Sequence, residues 1–167
     1  MKNIVVAALL SSFIAAPAFA AEGKNSIGVN YGFARNGVIA VQGEFDVSSY
    51  LTNRAPVSVQ VFWKNYSQSY GTPAGTYQYS YNGLGVAAIY GFGPVIKNNS
   101  KIEPYAGLGL ITLNSTLSGP NGPAPRSADS GGLYLTAGAR YEVTPQVSAD
   151  LNLNNYGGLT IGAIVKF

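Results

Sequence analysis

The stretch LYLTAGARYEV, residues 133–143, alternates apolar side chains with small, polar or charged ones. Because successive side chains of a β-strand point to opposite faces, a period of two predicts a strand with one apolar and one polar face. Arg140 and Glu142 both fall on the polar face, and the apolar face carries no charge. This stretch therefore predicts a strand that separates two different environments.

The same alternation recurs along the chain from Ile27 to Phe167. Asn36-Gly37 favours a tight hairpin, and Thr144-Pro145-Gln146 and Tyr156-Gly157-Gly158 mark later turns. Strands of about nine to eleven residues cross a membrane at the tilt that barrels adopt. The sequence thus predicts an all-β fold, an eight-stranded antiparallel up-and-down transmembrane β-barrel. The predicted strands cover residues 27–33, 39–47, 57–64, 83–92, 102–110, 133–143, 147–154 and 159–167.

The first twenty residues have the features of an export signal. Lys2 precedes an apolar stretch at residues 4–16, and Ala18-Phe19-Ala20 is a small-residue cleavage site. We therefore expect residues 1–20 to be a signal peptide that is cleaved before the next residue. Residues 21–167 then form one barrel domain, and no later apolar run is long enough for a transmembrane helix.

Composition excludes several classes of function. The chain has no Cys and no His, which removes disulfides, the usual zinc sites and every nucleophile that a histidine activates. We therefore expect no catalytic residue, no cofactor and no metal, since an acid–base enzyme would depend on carboxylates alone. No basic run suggests a nucleic-acid partner. Charged residues make up 10% of the chain, against about 25% in typical soluble domains.

The distribution of charge decides which face meets lipid. A soluble lipocalin-like barrel also has eight alternating strands, but its polar face would form the whole exterior. Here that face is dominated by small uncharged residues, which would make a poor water-exposed surface. We therefore expect the apolar face to meet lipid and the polar face to line the lumen. The charged residues on the polar face are Glu44, Asp46, Lys64, Glu103, Arg140, Glu142, Asp150 and Lys166.

Aromatic residues on the apolar face support the membrane interpretation. Membrane barrels carry aromatic belts at both interfaces, around an aliphatic middle. The sequence predicts one belt of Phe33 and Trp63. The opposite belt is predicted to contain Phe45, Tyr90, Phe92, Tyr141 and Phe167.

Five of the charged residues are predicted to form a cluster in the lumen: Glu44, Asp46, Arg140, Glu142 and Lys166. Such a cluster could be a proton relay or a carboxylate-only catalytic site. The structural interpretation is stronger, because side chains fill an eight-stranded barrel and buried charges must pair. We expect Arg140 and Lys166 to neutralise the acids.

Two further segments, residues 67–78 and 115–132, are predicted to be long loops. Tyrosines at and beside the first of them could stack on a sugar or a host protein, or could extend an aromatic belt. These tyrosines are Tyr66, Tyr70, Tyr77, Tyr79 and Tyr81.

The chain resembles the small outer-membrane barrels related to the transmembrane domains of outer membrane proteins A and X. The resemblance lies in the leader, in EPYAGLG at residues 103–109 and in the closing strand at residues 159–167 with its terminal Phe. It implies that the barrel-assembly machinery recognises Phe167, that both termini are periplasmic, and that long loops face the cell exterior. The short first loop, residues 35–37, departs from that pattern.

The leading hypothesis is a non-enzymatic outer-membrane protein that supports the envelope and binds surface ligands. Its expected partners are outer-membrane lipid, lipopolysaccharide, the assembly machinery, and a host or surface ligand at residues 67–78 and 115–132. We expect a monomer. The alternatives are a narrow channel for small solutes, a lipid-modifying enzyme and a soluble periplasmic binder.

Overall fold

The computed structural model describes residues 25–34, 37–51, 55–93, 101–119 and 122–167, with side chains in the last range from residue 130. The predicted signal peptide lies outside the described residues. These contain eight β-strands and a short 3-10 helix, Ser48–Tyr50. No helix in these ranges is long and apolar enough to span a membrane. The strands are β1 (Ser26–Gly32), β2 (Val38–Asp46), β3 (Val57–Thr72), β4 (Gly75–Gly91), β5 (Ile102–Gly119), β6 (Gly122–Thr144), β7 (Val147–Asn154) and β8 (Gly158–Lys166).

The strands form a closed barrel in sequence order. Each strand pairs antiparallel with the next, and β8 returns to β1 with Ser26 opposite Lys166 and Gly32 opposite Thr160. Closure satisfies the backbone hydrogen bonds within the ladder, which is the condition for a sheet to lie in lipid. The predicted eight-stranded antiparallel up-and-down barrel is therefore confirmed.

The predicted faces are also found in the structure. Residues of the apolar face point outward, as in Leu110 and Leu153, which are 64% and 62% exposed. Residues of the opposite face point into the barrel, where Gln60 and Asp150 are buried. Ile89 follows the alternation of faces and points into the lumen, but it is apolar where most of its neighbours on that face are polar or small.

Side chains fill the middle of the lumen, as expected for a barrel of this size. The packed cluster forms beside glycines that leave room for it: a Cβ on Gly85 would collide with the Phe62 ring, and one on Gly107 with Ile89. These glycines are therefore packing residues. The buried cluster consists of Phe62, Ala87, Ile89, Tyr105, Ile111 and Tyr134.

The prediction of long loops at residues 67–78 and 115–132 is wrong. β3 continues to Thr72 and β4 starts at Gly75, so a two-residue turn replaces the first loop. In the second segment, β5 continues to Gly119 and β6 begins at Gly122. The register of this pair shifts once, between Thr116 and Leu117. Ser, Thr and Tyr in these segments join ladders as readily as they form loops, because their backbones gain inter-strand hydrogen bonds.

The four long strands project beyond the other four. Val38 begins β2 and pairs with Tyr66, so the rest of β3 continues past the end of its neighbour. On the other side Asn154 ends β7 and pairs with Thr136, which leaves the first part of β6 paired with β5 alone. We call the projecting residues, 67–80, 115–119 and 122–130, the sheet extension.

The sheet extension lies at the barrel end opposite the chain termini. At the terminal end, the Phe167 N–H donates to the Asn25 carbonyl at 2.9 Å. The turn between β3 and β4 lies at the other end, together with the turn between β7 and β8, where Gly158 has a φ of 63°. That positive φ explains the glycine there.

Candidate functional site: lumen charges and a tyrosine groove

Arg140 and Glu44 form a buried ion pair across the lumen. The Arg140 Nη1 donates to Glu44 Oε1 at 3.1 Å, and its Nη2 contacts Glu44 Oε2, so the pair is bidentate. The guanidinium also lies 4.5 Å from the Tyr105 ring centroid. β2 and β6 supply the two charges from different walls of the barrel. The pair thus links the walls and occupies the lumen between them.

A second polar network surrounds Asp150, which is 1% exposed. The Tyr105 hydroxyl donates to Asp150 Oδ1 at 2.9 Å, and the Asn152 side chain donates to Oδ2 at 3.0 Å. The network continues toward the extension, where Lys64 Nζ donates to Asn154 Oδ1 at 2.7 Å. Lys64 also lies 4.4 Å from the Tyr134 ring centroid. Hydrogen bonds to neutral groups and an aromatic face therefore surround this buried amine.

The structure divides the five residues predicted as one cluster. Glu44 and Arg140 lie deep in the lumen. Lys166 and Glu142 lie 4.0 Å apart at the terminal end, where their side chains are partly exposed, and Asp46 Oδ1 accepts from the Ser48 N–H at 2.8 Å. Cavities of about 330 Å³ and 240 Å³ open among these groups.

Asp150 and Lys64 belong to the polar face predicted from the sequence, but the predicted cluster does not include them. The sequence contains a signal for Asp150, because Asn152 and Asn154 follow it on the same face. The oxygens of Glu44 and Asp150 are engaged in hydrogen bonds to neighbouring side chains. In the described part of the chain, no three His, Cys, Asp or Glu side chains are grouped to hold a metal ion.

All the residues assigned to aromatic belts lie on the outward face. Tyr90 and Phe92 pack edge to face with centroids 5.1 Å apart at the terminal end. Phe33 packs in the same way against Tyr31, with centroids 5.5 Å apart, so Tyr31 belongs with Phe33 and Trp63, although the predicted belt does not include it. Among the seven predicted belt residues, the exposed ones are Phe33, Phe92, Tyr141 and Phe167. The other three, Phe45, Trp63 and Tyr90, are half-buried.

The tyrosines of the hairpin formed by β3 and β4 form a cluster on the inner face of the sheet. Strand alternation places Tyr66 on the same face as the buried Phe62, and Tyr81 lies opposite it in the ladder. These two rings stack with centroids 4.5 Å apart. Tyr81 in turn stacks on Tyr79 at 6.4 Å, and Tyr70 meets Tyr79 edge-on at 5.8 Å. The hypothesis that this hairpin extends an outward belt is therefore wrong.

The polarity of the sheet inverts between the barrel and the extension. In the barrel, apolar side chains point outward and polar side chains point inward. Beyond Tyr66 the alternation has largely the opposite phase. Hydroxyl and amide side chains occupy the outward positions, and tyrosine and leucine occupy most inward positions, which they share with the polar Gln68, Thr72 and Ser115. The inverted outer face indicates water rather than lipid around the extension. Its outward residues include Ser67, Ser69, Thr76, Gln78, Ser80, Thr116 and Ser118.

The inner face of the extension contains a groove of about 500 Å³. Its walls are aromatic and hydroxyl-bearing, and none of its lining residues is charged. Tyr70 remains 47% exposed in the groove. The lining residues are Tyr70, Thr72, Tyr77, Tyr79, Tyr81 and Leu117.

A closed barrel with an apolar outer face and a packed, charged interior is the architecture of integral β-barrel proteins of the outer membrane. The chain belongs to the outer membrane protein beta-barrel domain family, whose model matches residues 6–161. The protein is accordingly a bacterial outer-membrane protein. No curated protein sequence matches the chain.

Solved structures share the fold at low sequence identity. The N-terminal β-barrel domain of Pseudomonas aeruginosa OprF matches with a TM-score of 0.61 and 16% identity, covering 87% of this chain and 100% of that one. Neisserial surface protein A matches with a TM-score of 0.60 and 20% identity, covering 86% of this chain and 93% of that one. A third match is Ail, the attachment invasion locus protein of Yersinia pestis, in complex with the heparin analogue sucrose octasulfate. Its TM-score is 0.58 at 13% identity, and the match covers 88% of this chain and 100% of that one.

Proposed function

We propose that this protein is a non-enzymatic component of the outer membrane that uses its sheet extension to bind ligands at the cell surface. The observation that carries the proposal is the inversion of polarity beyond Tyr66. A sheet that reverses its faces is built to stand in water above the membrane. Its outer face is polar and suits contact with water. Its inner face exposes aromatic side chains above the membrane.

The interior of the barrel argues against the competing functions. Phe62, Ile89 and Tyr134 fill the lumen between its two ends, and the Arg140–Glu44 pair crosses it on the terminal side. A channel needs a continuous wet path, and a carboxylate enzyme needs an acid that is free to exchange protons. The packed cluster and the bidentate pair supply neither. A role in envelope integrity fits a barrel whose interior serves stability.

A surface role is also consistent with the family resemblance. Ail is named for attachment and was crystallised with a heparin analogue, so a barrel of this fold can bind sugar derivatives. In the present chain the hairpin of β3 and β4 replaces the predicted loop as the candidate binding element. The periplasmic position of both termini, implied by the resemblance, would direct that hairpin to the exterior.

A deletion that keeps the barrel part of the ladder intact tests this proposal, although it removes the pairing of residues 78–80 with residues 116–118. Tyr66 and Tyr81 are directly paired, so residues 67–80 can be replaced by Asn-Gly to form a two-residue hairpin turn. We expect normal insertion into the outer membrane and loss of binding of whole cells to host matrix. The control is Glu44→Gln combined with Arg140→Met, which alters the lumen and is expected to keep most of the stability of the barrel. Retained binding in the deletion, with loss in this double variant at matched surface amounts, would move the working site into the lumen.

A further inference from the structure

We propose that the groove beside Tyr70, Tyr77 and Tyr79 is a binding site for a neutral saccharide of one or two pyranose rings. The inference rests on the proposed surface function and names the chemical class of its ligand. Neither the anchoring of the barrel in lipid nor the packing of the lumen uses this groove. Its shape, its charge and its size each favour a sugar.

The aromatic wall of the groove is held in place by ring contacts. Tyr66, 4% exposed, fixes the base of the stack against Tyr81, with an interplanar angle of 14°. Tyr79 continues the stack at 19°, and Tyr70 closes it edge-on at 85°. Rings held in this way lose little conformational freedom on binding. The exposed Tyr70 therefore offers a prearranged surface to the C–H face of a pyranose ring.

The lining of the groove is uncharged. None of its six lining residues is Asp, Glu, Lys or Arg, and the charged residues of the extension, Arg126 and Asp129, belong to a part of β6 whose side chains lie outside the described residues. A polyanionic glycan would find no cation among the lining residues, and a cationic peptide would find no acid. Hydroxyl groups are abundant instead, since each lining tyrosine carries one. The Thr72 hydroxyl donates to the Gly75 carbonyl at 2.9 Å and keeps lone pairs that can accept from a sugar hydroxyl.

The size of the groove matches a small ligand. The groove holds about 500 Å³ and is lined by six residues. Small-ligand sites typically span about 300–1,000 Å³, whereas a stable interface between proteins involves about 20–30 residues on each side. A groove of this scale accommodates one or two sugar rings, and it is too small to account for the docking of a folded protein.

The experiment uses the protein in phospholipid nanodiscs, because detergents with sugar headgroups would occupy the site. Methyl hexopyranosides, maltose and lactose are the probes, measured by saturation-transfer NMR and titration. We expect at least one probe to bind with a Kd on the order of millimolar. Tyr70→Ala with Tyr79→Ala should weaken binding about tenfold or more, as loss of stacking on two rings predicts. Gln78→Ala is the matched control on the opposite face, and binding there should change less than about twofold.

Several results would overturn the proposal. These are no binding of any neutral probe, binding of heparin fragments alone, preferential binding of a proline-rich peptide, or equal losses in Gln78→Ala and the tyrosine variants. Because Tyr79 is central in the stack, Tyr70→Ala alone provides a variant at an exposed ring that leaves the rest of the stack in place. Weaker sugar binding by Tyr70→Ala than by the parent protein supports the site even if the double variant does not fold.

A second pair of probes identifies the source of the sugar. Deacylated core oligosaccharide of lipopolysaccharide represents the cell's own membrane, and neutral host-type glycans represent another cell. Preferential binding of either probe supports the saccharide site and assigns its source. Cells that lose adhesion with the deletion of residues 67–80 but keep it with Tyr70→Ala and Tyr79→Ala would refute the saccharide site alone. Adhesion that survives the deletion would refute the proposed function itself.

Discussion

Arg140 and Glu44 lie 96 residues apart in the chain and are paired through two hydrogen bonds inside the barrel. The pair joins β6 to β2 through the lumen instead of through the wall. A buried ion pair adds little net stability over a matched apolar pair, but the loss of one partner leaves an uncompensated charge. The stability of the barrel should therefore depend on keeping both residues or neither.

The first prediction concerns this pair. Glu44→Gln should lower the free energy of unfolding by about 3–5 kcal/mol, because Arg140 loses its buried counter-charge. Glu44→Gln combined with Arg140→Met should recover most of that loss. Equilibrium unfolding in urea with lipid vesicles measures both. Glu142→Gln is the control, since Glu142 and Lys166 are partly exposed and 4.0 Å apart, and should cost less than about 1 kcal/mol. A cost for Glu142→Gln equal to that of Glu44→Gln would contradict this account.

The second prediction concerns the packed lumen. Gly107→Ala should destabilise the barrel by about 1–3 kcal/mol, because its new Cβ collides with the end of the Ile89 side chain. Ile89→Val removes that atom, so the double variant should be more stable than the sum of the two single effects. Gly71→Ala in the sheet extension meets open space and should be nearly neutral. Strict additivity of Gly107→Ala and Ile89→Val in the same unfolding assay would refute the steric explanation.

The third prediction tests the change of environment along the sheet. Ala137→Arg places a charge on the outward face of β6, between Ala106 and Leu153, and should cost about 2–4 kcal/mol in bilayers. Ser69→Arg places the same charge on the outward face of the extension and should cost less than about 0.5 kcal/mol. If both variants are equally destabilised in vesicles, the extension is not surrounded by water.

The fourth prediction concerns Phe167. The resemblance implies that the assembly machinery reads this residue, and its side chain is 41% exposed at the terminal end. Phe167→Ala should therefore lower the amount of folded protein in the outer membrane of cells, with little effect on refolding of the purified chain into vesicles. Heat modifiability on gels measures the folded fraction in both settings. A parallel loss in cells and in vesicles would indicate a role in stability instead of recognition.

Much of the barrel could be predicted from the sequence because lipid imposes a strict rule on it. Strands such as residues 133–143 must expose apolar side chains and conceal polar ones, and that rule leaves a period of two. The extension escaped prediction because the phase of the alternation reverses beyond Tyr66 and its outer face is polar. Serine and glycine on the outer face of such a segment suggest a loop when the lipid-facing phase is expected to continue.

Other details depend on geometry that alternation does not encode. Arg140 and Glu44 were recognisable as residues of the lumen, but their pairing depends on the tilt and stagger of the strands. The same holds for Lys64, which reaches Asn154 across 90 positions of sequence. The lumen face can be deduced from each strand alone, whereas its partners require the closed barrel.

The uneven lengths of the strands give the molecule a direction within the plane of the membrane. β3–β6 form a tall wall along one part of the rim, while β1, β2, β7 and β8 end low on the other part. A glycan chain that lies along the membrane surface can thus reach the tyrosines from the low side without passing over the top of the wall. Approach from behind meets the hydroxyl and amide side chains on the outer face of β3, β4 and β5. Neighbouring molecules can therefore shield or expose the groove according to how each barrel is turned about its axis.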